Sequence, residues 1–352
     1  MNEVLCTTKF EYLNNLLFFQ NEIEGMIGYI NISNGCVHFL ENVPRPLLDI
    51  NTRRCIMCAN KNKVFIVCNN GKSIYKIDNN ENANLILLIS KQEKVESYEW
   101  AGKFCYKDNI YVFGRDNGLI IRINCITEQV FYENTGIKDR LMWVDRLKNY
   151  MYGISWNGKY IYSYNLDKRE WKCSEVNICE NILNKSSSSV PLHGMKINDE
   201  DIYMHNKNIV FKYNINSKDI EILYKNESGN NGSRTIILDN SIIIPSFDQK
   251  NFYIINKKNG EIQETRKIEN NVKILTGWKG SGEPCYTKEF IYLPIINSNK
   301  LLCIKKNSLD FVWVTLNFNN NNIKKTMHYI MDKNITLQES TIFSIKHYID
   351  NI

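Results

Sequence analysis

Three features of the sequence predict an all-β chain of seven four-stranded antiparallel meanders. Strand-forming segments in the same internal order occur seven times, with second strands centred on Phe18, Phe65, Tyr111, Tyr152, Tyr203, Ile243 and Tyr292. Their separations of 47, 46, 41, 51, 40 and 49 residues keep a steady period. The third strands share a mark: an apolar residue, any residue, Ile or Tyr, then Asn or Asp. One meander cannot bury its own apolar faces, so a repeat of roughly 40–50 residues reads as one blade of a larger wheel. The expected fold is a seven-bladed β-propeller of four-stranded antiparallel blades, with a short C-terminal helix.

The segment Phe104 to Asn134 displays the plan. Strands are expected at Phe104–Tyr106, Ile110–Gly114, Leu119–Asn124 and Val130–Glu133, separated by Lys-Asp-Asn, Arg-Asp-Asn-Gly and Ile-Thr-Glu-Gln. Asn and Gly there supply the positive φ that tight hairpins require. The third-strand mark recurs as Tyr75-Lys76-Ile77-Asp78, Ile121-Arg122-Ile123-Asn124, Tyr162-Ser163-Tyr164-Asn165, Phe211-Lys212-Tyr213-Asn214 and Tyr253-Ile254-Ile255-Asn256. Tyr29-Ile30-Asn31 fits in part, and Cys303-Ile304-Lys305-Lys306 keeps the place without the Asn or Asp. Alternation buries one set of side chains between blades. The Asn or Asp ends the strand by bonding the backbone of the following turn.

Longer polar connections separate the repeats: Glu41 to Asn51, Glu180 to Leu192 with its Ser186 to Ser189 run, Asn226 to Ser233, and Thr276 to Pro284. None has the length of a domain linker, so residues 1–325 are expected to form one propeller domain. Residues 326–352 are expected to add a closing strand at Thr326 to Met331 and a helix from Thr336 to Ile352. That helix follows from the capping-box spacing of Thr336 and Glu339, and from Ile342, Ile345 and Ile349 on one face.

The composition agrees with strands: 20 Tyr and 15 Phe accompany abundant Ile and Val. The net charge of +6 is spread along the chain rather than gathered in a basic stripe, which argues against nucleic-acid binding. The apolar run Leu16 to Phe19 is far too short for a signal sequence or membrane span. A cytoplasmic protein is expected, with its 11 cysteines reduced and mostly buried.

The turns after the third strands, Asn31-Ile32-Ser33-Asn34-Gly35, Asn124-Cys125-Ile126-Thr127-Glu128 and Asn256-Lys257-Lys258-Asn259-Gly260, resemble those of bacterial β-propellers of the PQQ-like and kelch-like kind. The resemblance covers about Asn2 to Phe318. Kelch Gly-Gly doublets, WD40 Gly-His and Trp-Asp pairs, and sialidase Asp boxes do not occur. The repeat texture and the closing Glu339-Ser340 are also similar to a group of firmicute propellers, some encoded beside glycosyltransferase genes, a likeness that implies no particular activity.

Chemistry-bearing motifs are few. Cys55-x-x-Cys58 falls in an expected strand, where an offset of three sends side chains to opposite faces, and no second ligand pair accompanies it. The five histidines show no metal or catalytic spacing. No nucleotide-binding or nucleophile-elbow motif occurs. No metal or cofactor is expected.

Position carries more. Arg54, Lys103, Arg140, His193, Arg234 and Glu283 each stand just before an expected first strand. In a propeller those positions border the central channel, so the side chains are expected to ring a funnel mouth whose basic members focus positive potential on an anion. Trp100, Trp143 and Trp278 lie in or beside the same connections and offer flat faces to a sugar or nucleotide. The expected function is a non-enzymatic scaffold binding an anionic small molecule, a glycan or a protein partner at the funnel. The alternative is a glycan- or peptide-directed hydrolase or lyase at the central channel.

Overall fold

A computed structural model of the chain describes residues 7, 9–20, 26–41, 43, 44, 55–60, 62–68, 71, 73–77, 85–90, 100–116, 118–178, 192, 194–206, 208–225, 235–246, 251–268, 283–295 and 298–318. They form a seven-bladed β-propeller of four-stranded antiparallel sheets. Blade 1 holds β1 (Glu11–Leu13), β2 (Leu16–Gln20), β3 (Ile27–Asn31) and β4 (Cys36–Phe39). Blade 2 holds β5 (Ile56–Asn60), β6 (Lys63–Val67), β7 (Ser73–Ile77) and β8 (Leu85–Ser90). Blade 3 holds β9 (Trp100–Tyr106), β10 (Asn109–Gly114), β11 (Leu119–Asn124) and β12 (Val130–Asn134). Blade 4 holds β13 (Leu141–Leu147), β14 (Tyr150–Ser155), β15 (Tyr160–Asn165) and β16 (Glu170–Glu175). Blade 5 holds β17 (Gly194–Asn198), β18 (Asp201–His205), β19 (Ile209–Asn214) and β20 (Ile220–Lys225). Blade 6 holds β21 (Ile236–Ile237), β22 (Ser241–Pro245), β23 (Asn251–Asn256) and β24 (Ile262–Lys267). Blade 7 holds β25 (Cys285–Tyr286), β26 (Phe290–Pro294), β27 (Lys300–Lys305) and β28 (Phe311–Thr315), followed by β29 (Asn317–Phe318).

All seven second-strand anchors fall in second strands, and the third-strand Asn does what its chemistry suggests. Asn124 Oδ1 accepts from Ile126 N–H and Thr127 N–H at 3.0 and 2.9 Å. Asn165 and Asn214 make the same pair of bonds at the same lengths. Four residues on, the chain enters the left-handed region, at Gly35, Glu128, Arg169, Lys218, Gly260 and Leu309. Each of these N–H groups donates to the carbonyl four residues back. Gly260 has a second reason to be glycine, because a Cβ there would lie 1.7 Å from the Leu223 carbonyl oxygen.

Burial follows strand position. Second strands such as β22 and β26 are almost wholly buried, whereas fourth strands such as β16 and β24 are mostly exposed. The described chain divides into two compact units, Met1–Val95 with Glu269–Ile352, and Glu96–Ile268. In the second unit the core lies between consecutive sheets. Tyr111, Phe113 and Ile120 of blade 3 pack with Leu141, Met151 and Tyr162 of blade 4. Met142 and Ile154 of blade 4 join Ile202 and Phe211 of blade 5, and Tyr203 and Val210 join Ile242 and Ile255 of blade 6. Full burial of each such side chain contributes about 1.5–3 kcal/mol.

In the first unit one cluster combines Phe18 and Phe19 of blade 1, Ile66 of blade 2 and Leu301 of blade 7. The last repeat also reaches the first through β29, which pairs parallel with β4 as a fifth strand, Asn317 opposite Cys36. The closing strand expected at Thr326 to Met331 and the helix expected from Thr336 to Ile352 lie outside the described residues.

Candidate ligand-binding site

The turn between β10 and β11, the turn between β14 and β15, and the lead-in to β13 meet at one end of blades 3 and 4. Register places them there: Trp100 opens β9 opposite Gly114, and Leu141 opens β13 opposite Ser155. The lead-in is pinned on both sides. Leu141 N–H donates to the Arg115 carbonyl at 2.7 Å in blade 3, and Trp156 N–H donates to the Arg140 carbonyl at 2.7 Å in blade 4.

Local sequence explains why these turns hold still. Asn134 Oδ1 accepts from Gly136 N–H at 2.7 Å, and Thr135 Oγ1 donates to the Gly118 carbonyl at 3.0 Å. Gly118 sits at φ +62°, where a Cβ would lie 2.5 Å from Thr135 Oγ1 and 2.6 Å from the Ile137 carbonyl oxygen. Only glycine fits without displacing the lead-in. In blade 4, Ser155 Oγ donates to Asn157 Oδ1 at 2.7 Å and accepts from Tyr160 N–H at 2.9 Å, fixing the turn that carries Trp156. The buried Tyr162 hydroxyl donates to Asp139, the residue before Arg140. Burial, and then this carboxylate, push the Tyr162 phenol far above its ordinary range, so it stays a donor.

On this frame two guanidinium groups share one indole. Arg140 Cζ lies 4.2 Å and Arg115 Cζ 5.5 Å from the Trp156 ring centroid. Arg115 also faces Trp143 at 5.8 Å. Each such contact is worth about 0.5–1 kcal/mol when exposed and about 2 when desolvated. Arg140 Nε meets the Asp116 carboxylate at 3.2 Å, both side chains being two-fifths exposed. Two cations against one anion leave these three residues net positive. The Trp143 indole N–H donates to the Leu192 carbonyl at 3.0 Å, tying blade 4 to the lead-in of blade 5. Trp100 is 7% exposed, and its indole N–H has no acceptor among the described residues. Planar guanidinium donors beside aromatic faces suit a carboxylate, sulfate or phosphate carried on a flat or sugar-like ligand.

Of the residues singled out from sequence, the structure brings Arg140 and Trp143 together through Arg115. Trp100 lies in the same blade as Arg115, opposite Gly114. Lys103 is three residues inside β9, opposite Val112, rather than ahead of the strand. Glu283 lies just before β25, in the other unit, where its backbone forms an isolated parallel β-bridge with that of Lys9. Arg54, His193, Arg234 and Trp278 lie outside the described residues. Sequence reasoning passed over Arg115, Asp116 and Trp156, which stand in turns between second and third strands. The usable signal was the register, since those turns share an end with the lead-ins.

No family model matches the chain, and no curated protein matches it. Among solved structures it is similar to virginiamycin B lyase from Staphylococcus aureus, at 13% identity and TM-score 0.59 over 84% of this chain and 96% of that one. It is similar to dihydro-heme d1 dehydrogenase NirN, at 11% identity and TM-score 0.58 over 89% and 67%. PorZ of Porphyromonas gingivalis, a surface component of the type-IX secretion system, gives 12% identity and TM-score 0.59 over 90% of this chain and 38% of that one. Identities this low show the shared propeller fold alone.

Proposed function

We propose that the protein is a binding propeller of the PQQ-like and kelch-like kind, taking an anionic or glycan-type ligand where Arg115, Arg140 and Trp156 gather. One observation carries the reading: two guanidinium groups stack on a single indole, and one of them is met by a half-exposed carboxylate, Asp116. A ligand's anionic group would compete with Asp116 for Arg140, while Trp156 supports an apolar or sugar face. We place this activity in the cytoplasm, a reducing compartment that suits a chain with 11 cysteines.

An array of neutral, carboxylated and sulfated glycans tests the proposal, followed by calorimetry on the best binder. Wild type should retain acidic glycans. Arg140→Ala and Trp156→Ala should weaken binding about tenfold, the equivalent of roughly 1.4 kcal/mol. Asp116→Asn should strengthen it, because the competitor is neutralised. Equal binding by all three variants, or retention of neutral glycans alone, defeats the assignment. Cleavage of the bound glycan would turn the reading to the hydrolase or lyase alternative.

A further inference from the structure

Cys55 and Cys68 face each other across the β5–β6 hairpin. Ile56 pairs with Val67, so the next positions outward set Cys55 opposite Cys68. Cys68 N–H donates to the Ser73 carbonyl at 3.0 Å, toward β7, and Cys55 N–H donates to Gln20 Oε1 at 3.2 Å. Neither N–H points at the other cysteine, which makes this a non-hydrogen-bonded pair. Such pairs hold their Cα atoms about 4.5 Å apart with side chains on one face. That spacing lies within the roughly 4.4–6.8 Å that a disulfide spans. Both sulfurs are thiols in this structure, Cys55 half-buried and Cys68 fully buried. Cys58, the other half of the Cys-x-x-Cys motif, pairs with Phe65 on the strand and is not the facing residue.

We propose that Cys55 and Cys68 are a redox modification site that closes reversibly into a cross-strand disulfide. Exposure sets the order of events. The Cys55 thiolate attacks one sulfur of a small disulfide such as oxidised glutathione; that S–S bond breaks and one glutathione thiol leaves. The Cys68 thiolate then attacks the Cys55 sulfur of the mixed disulfide and expels the second glutathione. Two electrons pass from the protein dithiol to the glutathione disulfide, and the two thiol protons end on the two glutathiones. Burial raises the Cys68 thiol well above its ordinary range, which leaves the first attack to the more exposed Cys55; resolution by Cys68 relies on its fixed position opposite Cys55. Closure also removes the Cys55 Sγ–H that donates to Gln20 Oε1 at 3.0 Å, a side-chain contact between blades 1 and 2.

The test equilibrates the full chain in glutathione buffers of rising oxidised fraction and maps disulfides by mass spectrometry after non-reducing digestion. The expected product is a Cys55–Cys68 linked peptide pair that a reductant abolishes, formed with the far-ultraviolet circular dichroism unchanged. In Cys68→Ser, Cys55 should accumulate instead as a glutathione adduct. A Cys55–Cys58 link overturns the proposal. So does the absence of any Cys55–Cys68 link in wild type under conditions that glutathionylate the exposed Cys173. The linkage is read in wild type, so the result stands even where a variant folds poorly.

Discussion

Asn214 and Lys218 occupy one turn and should respond to mutation in opposite directions. Asn214 accepts two backbone N–H bonds and donates from Nδ2 to Asp201 at 2.8 Å. Asn214→Ala should therefore cost about 1–2 kcal/mol. Lys218 is exposed at φ +66°. A left-handed non-glycine residue carries roughly 1–2 kcal/mol of strain, against about 0.5–1 kcal/mol of extra chain entropy for glycine. Lys218→Gly should then raise stability by up to about 1 kcal/mol, read as a higher urea midpoint. A loss instead would show that the side chain, not the backbone, governs this turn. The Asn was legible in the sequence because its hydrogen-bonding reach is two or three residues. The left-handed Lys218 was not, since nothing in a lysine announces a positive φ.

At the scale of the element, blades are latched as well as packed. In the second unit, the turn of blade 3 after β9 reaches the turn of blade 4 after β15. Asp167 accepts from Lys107 Nζ at 2.8 Å, from the Tyr106 hydroxyl at 2.9 Å and from Asn149 Nδ2 at 3.2 Å. The bonds from Lys107, and next from Tyr106, hold the Asp167 carboxyl below its usual range. A depressed carboxylate contributes stability that is present above its unfolded value, near 3.9, and is lost as pH falls through the folded value. The stability difference between wild type and Asp167→Asn should thus be measurable at neutral pH and shrink below about pH 4. A difference independent of pH would place the effect in packing rather than charge. The strands themselves could be read from alternation and turn chemistry. The latch could not, because Lys107 and Asp167 lie 60 positions apart.

For the whole molecule, the join between the last and first repeats is short. Asn317 N–H donates to the Gly35 carbonyl at 2.9 Å, and its Nδ2 donates to the Asn34 carbonyl at 3.0 Å. Asn317→Pro removes both donors and should lower unfolding free energy by about 1–3 kcal/mol. An unchanged chemical-unfolding curve would mean that the join is incidental to stability.

Repeat number, strand order and the asparagine-ended third strands were written in the sequence itself, because each depends on chemistry reaching only a few residues along the chain. The stacking of Arg115 and Arg140 on Trp156, and the facing of Cys55 with Cys68, were decided by tertiary structure. Those meetings depend on which strand ends share a side of the sheet, and register and packing set that across tens of residues.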